Sequence, residues 1–412
     1  MGIAKPFDIK KELVREAFAR IRANAGAAGI DRVSLQEYES NLDNNLYKLW
    51  NRMSSGTYFP PAVKAVPIPK KNGGVRILGI PTVEDRVAQM VVKLVFEPGV
   101  ERCFLPDSYG YRPNKSAIDA IRITRKRCWK YDWVLEFDIK GLFDNIRHDL
   151  LMKVVRKHTE LKWVILYIER WIKAPLQHKD GTQEARTKGT PQGGVVSPVL
   201  SNLFLHYVFD KWMNRIFPNN LWCRYADDGL VHCRSQREAE EVKARLQARF
   251  QECGLEMHPD KTKIVYCHDN KRKREFPVTS FDFLGYTFRS RRVINKATGE
   301  LFCGFAPAVG KNALKSMASK IRKSRIRNRV DLSIEQVAKM CNPFLRGWIE
   351  YYHHFHASEL KRLYDIFDGA LAAWAMRKYK AFRRCRGKAY EYIRTMSKTR
   401  SYLFVHWQQG RC

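Results

Sequence analysis

Leu221-Trp222-Cys223-Arg224-Tyr225-Ala226-Asp227-Asp228-Gly229-Leu230-Val231-His232-Cys233 is the stretch that decides how this chain folds. Two short apolar runs, Leu221–Tyr225 and Leu230–Cys233, flank Ala226-Asp227-Asp228-Gly229, the pattern of a β-hairpin whose turn carries two carboxylates. Adjacent carboxylates repel, and at the end of buried strands neither is well hydrated. A divalent cation removes that cost, since magnesium prefers oxygen ligands, usually one or two carboxylates plus substrate phosphates. Asp is common in turns, so the pair gains its weight from context. Upstream, Trp133-Val134-Leu135-Glu136-Phe137-Asp138-Ile139 reads as a buried strand ending at a third acid, again where charge is costly.

Working outward, Lys70-Lys71-Asn72-Gly73-Gly74 sits between two apolar runs within 58–81, which predicts a hairpin with a basic tip. Helical spacing follows over 82–97 through Val83, Val87, Met90, Val91 and Leu94. Further helices are expected over about 148–173, over 197–216, and over 236–253 with Ala239, Val242, Leu246 and Phe250 as the inner stripe. Residues 301–412 read as helical, with 23 Lys/Arg against 7 Asp/Glu and Trp348, Tyr351, Tyr352, Trp374 and Tyr379 interspersed.

The 412 residues carry 75 Lys+Arg and 42 Asp+Glu, a formal charge of +33. Self-repulsion on that scale points to a polyanionic partner, and nucleic acid comes first because neutralising phosphates releases counterions. No apolar run approaches about 18 residues and the N-terminus lacks a signal-peptide pattern, so a cytoplasmic protein without a membrane span is expected. The ten cysteines form no C-x-x-C pair, which argues against a zinc ribbon or a disulfide framework. Cys223, His232 and Cys233 read as buried residues rather than ligands, and His353, His354 and His356 as half-exposed helix positions.

Tyr225-Ala226-Asp227-Asp228, preceded by Phe137-Asp138-Ile139-Lys140-Gly141-Leu142-Phe143-Asp144, resembles motifs C and A of reverse transcriptases. Pro191-Gln192-Gly193-Gly194-Val195-Val196-Ser197-Pro198 is similar to the motif between them. Lys70 through Arg76 with Gly79-Ile80-Pro81 resembles the fingers hairpin, and Tyr109-Gly110-Tyr111-Arg112-Pro113 the template-contacting segment. Pro259-Asp260-Lys261-Thr262-Lys263 resembles motif D, and Phe283-Leu284-Gly285-Tyr286 the primer grip. Phe344-Leu345-Arg346-Gly347-Trp348, Trp374 with Arg377–Lys380, and Leu403–Trp407 resemble the maturase (X, or thumb) domain of bacterial group II intron proteins.

The resemblance implies an α+β fold, a right-hand polymerase with an antiparallel palm sheet, followed by an all-helical thumb. Residues 1–290 would form fingers and palm (extension 1–55, mainly fingers 56–130, mainly palm 131–290), and 291–412 the thumb or X domain. It implies an RNA-directed DNA polymerase that extends a DNA primer on an RNA template from deoxynucleoside triphosphates. The enzyme would also bind intron RNA and target DNA as a maturase, in splicing and retrohoming. Asp138, Asp227 and Asp228, with the Ile139 carbonyl, would hold two Mg2+ ions, for which Mn2+ substitutes. Lys70 (or its neighbour Lys71) and Arg76 would neutralise the triphosphate, and Gln192 would brace the nucleotide sugar. Lys261 would serve as general acid to pyrophosphate, against the plainer reading of a surface lysine. Phe143, five residues past Asp138, matches the position whose ring excludes a 2′-hydroxyl, while Asp144 beside it reads as a structural cap or ion-pair partner. Arg112, Pro191, Gly193, Leu284, Gly285 and Tyr286 would contact template and primer.

The resemblance equally admits a domesticated relative serving phage defence, CRISPR spacer acquisition or DNA repair. An RNA chaperone with a dead polymerase site is disfavoured by the retained carboxylates. Relatives that cut the second target strand carry a C-terminal nuclease with paired Cys and His. With the sequence ending at Cys412, no such nuclease is expected, and primers would come from nascent strands at replication forks. A bacterial protein is expected, associated with the nucleoid when on target DNA, as monomer or homodimer.

Overall fold

The computed structural model describes residues 5–69, 73–294 and 298–409, so Lys70 and Lys71 lie outside the described residues. The chain divides into two compact units, Met1–Ser116 with Leu135–Thr262, and Ala117–Val134 with Lys263–Cys412.

In the first unit the basic hairpin forms as its pattern predicts, Val63–Pro69 pairing antiparallel with Val75–Ile80. The helix Val83–Glu101 follows at once, started by Thr82, whose hydroxyl accepts from the Asp85 amide at 3.1 Å. The strand Asp228–Cys233 lies between Trp222–Tyr225 and Trp133–Asp138 in one sheet. Behind the sheet, the Phe137 ring meets Phe209 at 5.1 Å and Phe250 at 5.8 Å. Phe250 belongs to the helix Gln236–Glu252, whose expected stripe of Ala239, Val242, Leu246 and Phe250 is buried. Burying that stripe against aromatic rings anchors the sheet and so the acids at the ends of its inner strands.

Three expectations change in detail. The hairpin turn is two residues, Ala226-Asp227, because Tyr225 pairs with Asp228 and Ala226 takes a φ of 57°. Positive φ is what a tight hairpin turn demands, so only Asp227 is on the turn and Asp228 opens the next strand. The helix expected over about 148–173 is two, His148–His158 and Lys162–Lys173. Thr159, in extended conformation, accepts from the Leu161 amide at 3.2 Å, a local bond that competes with helix continuation. The run over 197–216 is helical throughout but widens into a π-turn at His206–Asp210.

The second unit corrects the expectation that everything from residue 291 onward is helical. Phe281–Phe283, Tyr286–Ile294 and Leu301–Val309 form an antiparallel sheet, and helices begin at Lys311. Gly304 and Pro307 disfavour a helix over 301–309, and Pro307 is tolerated in a strand because Leu301–Val309 is at the sheet edge. By contact this unit begins at Lys263, ahead of the functional boundary expected near 290. It also takes in the helix Ala117–Cys128, next to which the Trp129 indole donates to the Phe305 carbonyl at 2.7 Å. Its helical part, from Lys311–Lys323 through Ile334–Tyr352 and Lys361–Lys378 to Arg386–Thr399, closes around Phe367, Leu371 and the fully buried Trp374. Among the described residues, no helix is long and apolar enough to cross a membrane.

Candidate active site

The sheet brings the three aspartates together. The Ile139 amide donates to the Asp227 carbonyl at 3.1 Å, so the end of the strand carrying Asp138 abuts the hairpin turn. On the other side the His258 amide donates to the Asp138 carbonyl at 2.8 Å, which brings up the loop bearing Lys261. The Lys261 ammonium donates to Asp138 Oδ2 at 2.5 Å.

The electrostatics are those of crowded anions. Burial first, then the charge of Asp138, pushes the Asp227 pKa above the ordinary carboxylate range, with Lys261 and Arg76 offsetting part. Burial, Asp227 and Asp138 together push Asp228 up to about 7. Burial works against the Lys261 ammonium, yet its hydrogen bond to Asp138 and the fields of all three acids hold its pKa above the usual lysine value. Lys261 is thus a resident monocation beside an excess of negative charge. Among the described residues no ready-made cage of three or more carboxylate, imidazole or thiol groups exists. Hard oxygen donors in excess of local positive charge nevertheless fit a magnesium-type cation, which completes its shell with water and phosphate oxygens.

A buried clamp sets the turn, and sequence reasoning missed it. Arg224 is fully buried, and it donates to both oxygens of Asp210 at 2.7 Å. It also donates to Ser108 Oγ at 2.8 Å, Asn202 Oδ1 at 3.1 Å and the Ala226 carbonyl at 3.2 Å. Burial alone would raise the Asp210 pKa, but the Arg224 charge and hydrogen bonds hold it low. A buried pair of this kind, left with one partner, costs about 3–5 kcal/mol. The clamp therefore fixes the Ala226 backbone and with it Asp227. The signal available was a charged residue inside an otherwise apolar strand.

The Arg76 side chain donates to Gln192 Oε1, while Gln192 Nε2 donates to Asp144 at 3.0 and 2.9 Å. Arg76 and Gln192 are thereby joined, and Asp144 is the structural anchor. Gly193, at φ 119°, lets the Pro191–Gly194 turn press on the hairpin, since a Cβ there would lie 2.4 Å from the Gly79 carbonyl. The Thr190 amide donates to the Phe143 carbonyl at 2.7 Å, tying this turn to the short helix Leu142–Asn145 that carries the Phe143 ring. Gln89 was a second omission. Its amide donates to Asp85 at 2.9 Å and accepts from Val195 N at 2.7 Å, and a buried polar residue on an apolar helix face was its signal.

Other sequence-predicted residues have different surroundings. The Arg112 guanidinium is engaged by Glu101 at 2.6 Å and by the carbonyls of Leu105 and Ser108 at 2.7 Å, so it braces its own loop. Pro191 is buried. Leu284, Gly285 and Tyr286 belong to the second unit. Leu284 and Gly285, both at positive φ, form its two-residue turn between Phe283 and Tyr286. The Leu284 carbonyl accepts from the Tyr351 hydroxyl at 2.8 Å, and Tyr286 is fully buried against Tyr351, Tyr352 and Phe355. Cys223, His232 and Cys233 are buried, as read.

The reverse transcriptase (RNA-dependent DNA polymerase) family model matches residues 68–288, and the group II intron, maturase-specific domain matches residues 314–391. Protein YkfC of Escherichia coli (strain K12) is 31% identical over 321 residues, covering 66% of this chain and 80% of that protein. The group II intron-encoded protein LtrA of Lactococcus lactis subsp. cremoris is 30% identical over 283 residues, 66% of this chain and 44% of that one. The putative COX1/OXI3 intron 1 protein of Saccharomyces cerevisiae is 30% identical over 168 residues, 41% of this chain and 20% of that one. The chain therefore spans less than half the length of the two intron proteins.

Proposed function

The chain belongs to the group II intron-encoded reverse transcriptase and maturase family, and from that premise we propose that it extends a DNA primer along an RNA template by nucleotidyl transfer at Asp138, Asp227 and Asp228. The observation that carries the reading is the junction of the two strand ends, Ile139 N to Asp227 O at 3.1 Å, which puts the acids in one another's fields. Divalent cations held by these carboxylates and the Ile139 carbonyl, two Mg2+ or Mn2+ in their place, would supply Lewis-acid stabilisation of the attacking and leaving oxygens.

The protein's own groups do the rest. Arg76, together with Lys70, neutralises the triphosphate, and Gln192, held between Arg76 and Asp144, braces the sugar. Lys261, bonded to Asp138 and held protonated by the acids, would hand its proton to departing pyrophosphate. Phe143 fills the space a 2′-hydroxyl would need. Pro191 and Gly193 sit along the template–primer path. Arg112 serves the template by holding its loop, and in the second unit Leu284 and Gly285 serve the primer through backbone, with Tyr286 fixing their turn.

Residues up to about 290 would be fingers and palm, and those beyond, thumb and X domain. The basic second unit, with 23 cations over 301–412, suits intron RNA and target DNA, for splicing and retrohoming. The test is extension of a DNA primer annealed to an RNA template. Full-length product is expected with deoxynucleotides and magnesium, and none with chelator or with ribonucleotides alone. Template-independent addition, or extension indifferent to chelator, would overturn the assignment.

A further inference from the structure

Tyr111 makes an unusual combination of features next to the proposed sugar gate. It is a bulky aromatic at φ 57°, a conformation such residues seldom adopt without compensation, and its side chain is half exposed. A half-exposed ring gains little from burial, so its neighbours must impose the conformation. They do so from the hairpin that carries Asp227 and from the helix Ser197–Leu205. The Tyr109 amide donates to the Arg224 carbonyl at 2.8 Å, and Asn202 Nδ2 donates to the Gly110 carbonyl at 2.6 Å. Gly110 presses so closely on the turn that a Cβ there would lie 2.4 Å from the Ala226 amide nitrogen. Burial and then the charge of Asp227 raise the Tyr111 pKa, which puts its hydroxyl within the field of the acids.

From this pinned segment the Tyr111 ring meets Phe143 edge to face, centroids 6.4 Å apart and planes at 76°. That lies within the range where aromatic pairs attract through the edge and face of their quadrupoles. The backbone bonds around Phe143 fix its main chain and leave its ring rotamer to side-chain packing. We propose that Tyr111 is a positioning residue for substrate specificity: its ring holds the Phe143 ring against the nucleotide sugar and so sets the discrimination against ribonucleotides. Asn202, Gly110 and the Ala226 turn make that position track the metal-binding acids. The inference rests on the gate role given to Phe143 above.

Primer extension on an RNA template, read as the ratio of kcat/KM for dCTP to that for CTP, tests it with four proteins: Tyr111→Ala, Tyr111→Phe, Phe143→Ala and the double Ala variant. Tyr111→Ala should lower the ratio about 2- to 10-fold, the range expected for losing one aromatic pair. Tyr111→Phe keeps the ring and should keep the ratio. In the Phe143→Ala background, Tyr111→Ala should change nothing further, because the two act as one unit. A wild-type ratio in Tyr111→Ala beside a collapsed ratio in Phe143→Ala would overturn the proposal alone. So would an equal loss in both backgrounds, or a loss in Tyr111→Phe as large as in Tyr111→Ala. An undiminished ratio in Phe143→Ala would bring down the gate and this proposal with it.

Discussion

Asp227→Ala is expected to lower primer extension by about 10³-fold or more while binding to RNA persists, because a ligand worth several kcal/mol of charge stabilisation is removed. The basic surface that would attract phosphates is untouched, so RNA affinity should stay within about twofold. Folding should not suffer either. Asp227 sits largely buried beside Asp138 and Asp228, and its raised pKa records burial and like-charge crowding that burden the folded state. Removing it relieves repulsion without leaving a cavity in the core, so the thermal midpoint should hold or rise. Gel-based extension, filter binding and thermal unfolding on one preparation check all three. Extension at near wild-type rate would remove Asp227 from the chemistry, and lost RNA binding would mean the substitution acts through folding.

Phe143→Ala is expected to lower discrimination against ribonucleotides by about 10- to 200-fold, the range that steric complementarity supplies when one small group must be refused. The ring is buried to 9% exposure, and its backbone is tied to Thr190, so it has little freedom to yield to a larger sugar. Phe143→Val should fall between the two. Competition between a deoxynucleotide and its ribonucleotide at one template position measures the ratio. Unchanged discrimination in both variants would take the gate role away from Phe143.

Much of the site was legible because its charges stand where charge is expensive. Asp138 at the end of an apolar strand, and Asp227 between two apolar strands, need only hairpin and strand patterns to be found, whereas their meeting in one sheet was implied by the family resemblance alone. Positions that depend on packing from distant segments were not legible in the same way. Arg224 looked like one polar residue in an apolar run, and its five hydrogen bonds reach four residues, 108, 202, 210 and 226. Gln89 and Tyr111 gain their meaning from contacts made across more than 30 residues of chain. The strand Leu301–Val309 was hidden by the basic helical composition around it, although Gly304 and Pro307 within it were a warning. The surroundings of Arg112 were equally hidden, since its guanidinium is held by Glu101 at the end of the preceding helix and by carbonyls of its own loop.

In the proposed chemistry Asp138 and Asp227 flank one cation site. Iron(II) in place of magnesium, with ascorbate and peroxide, cuts a polypeptide next to the bound ion and needs no polymerase activity. Cleavage is predicted at two places far apart in sequence, near residue 138 and near residue 227, both suppressed by excess magnesium and both lost in Asp138→Asn. Cuts at only one of the two, or cuts that magnesium does not compete away, would contradict it.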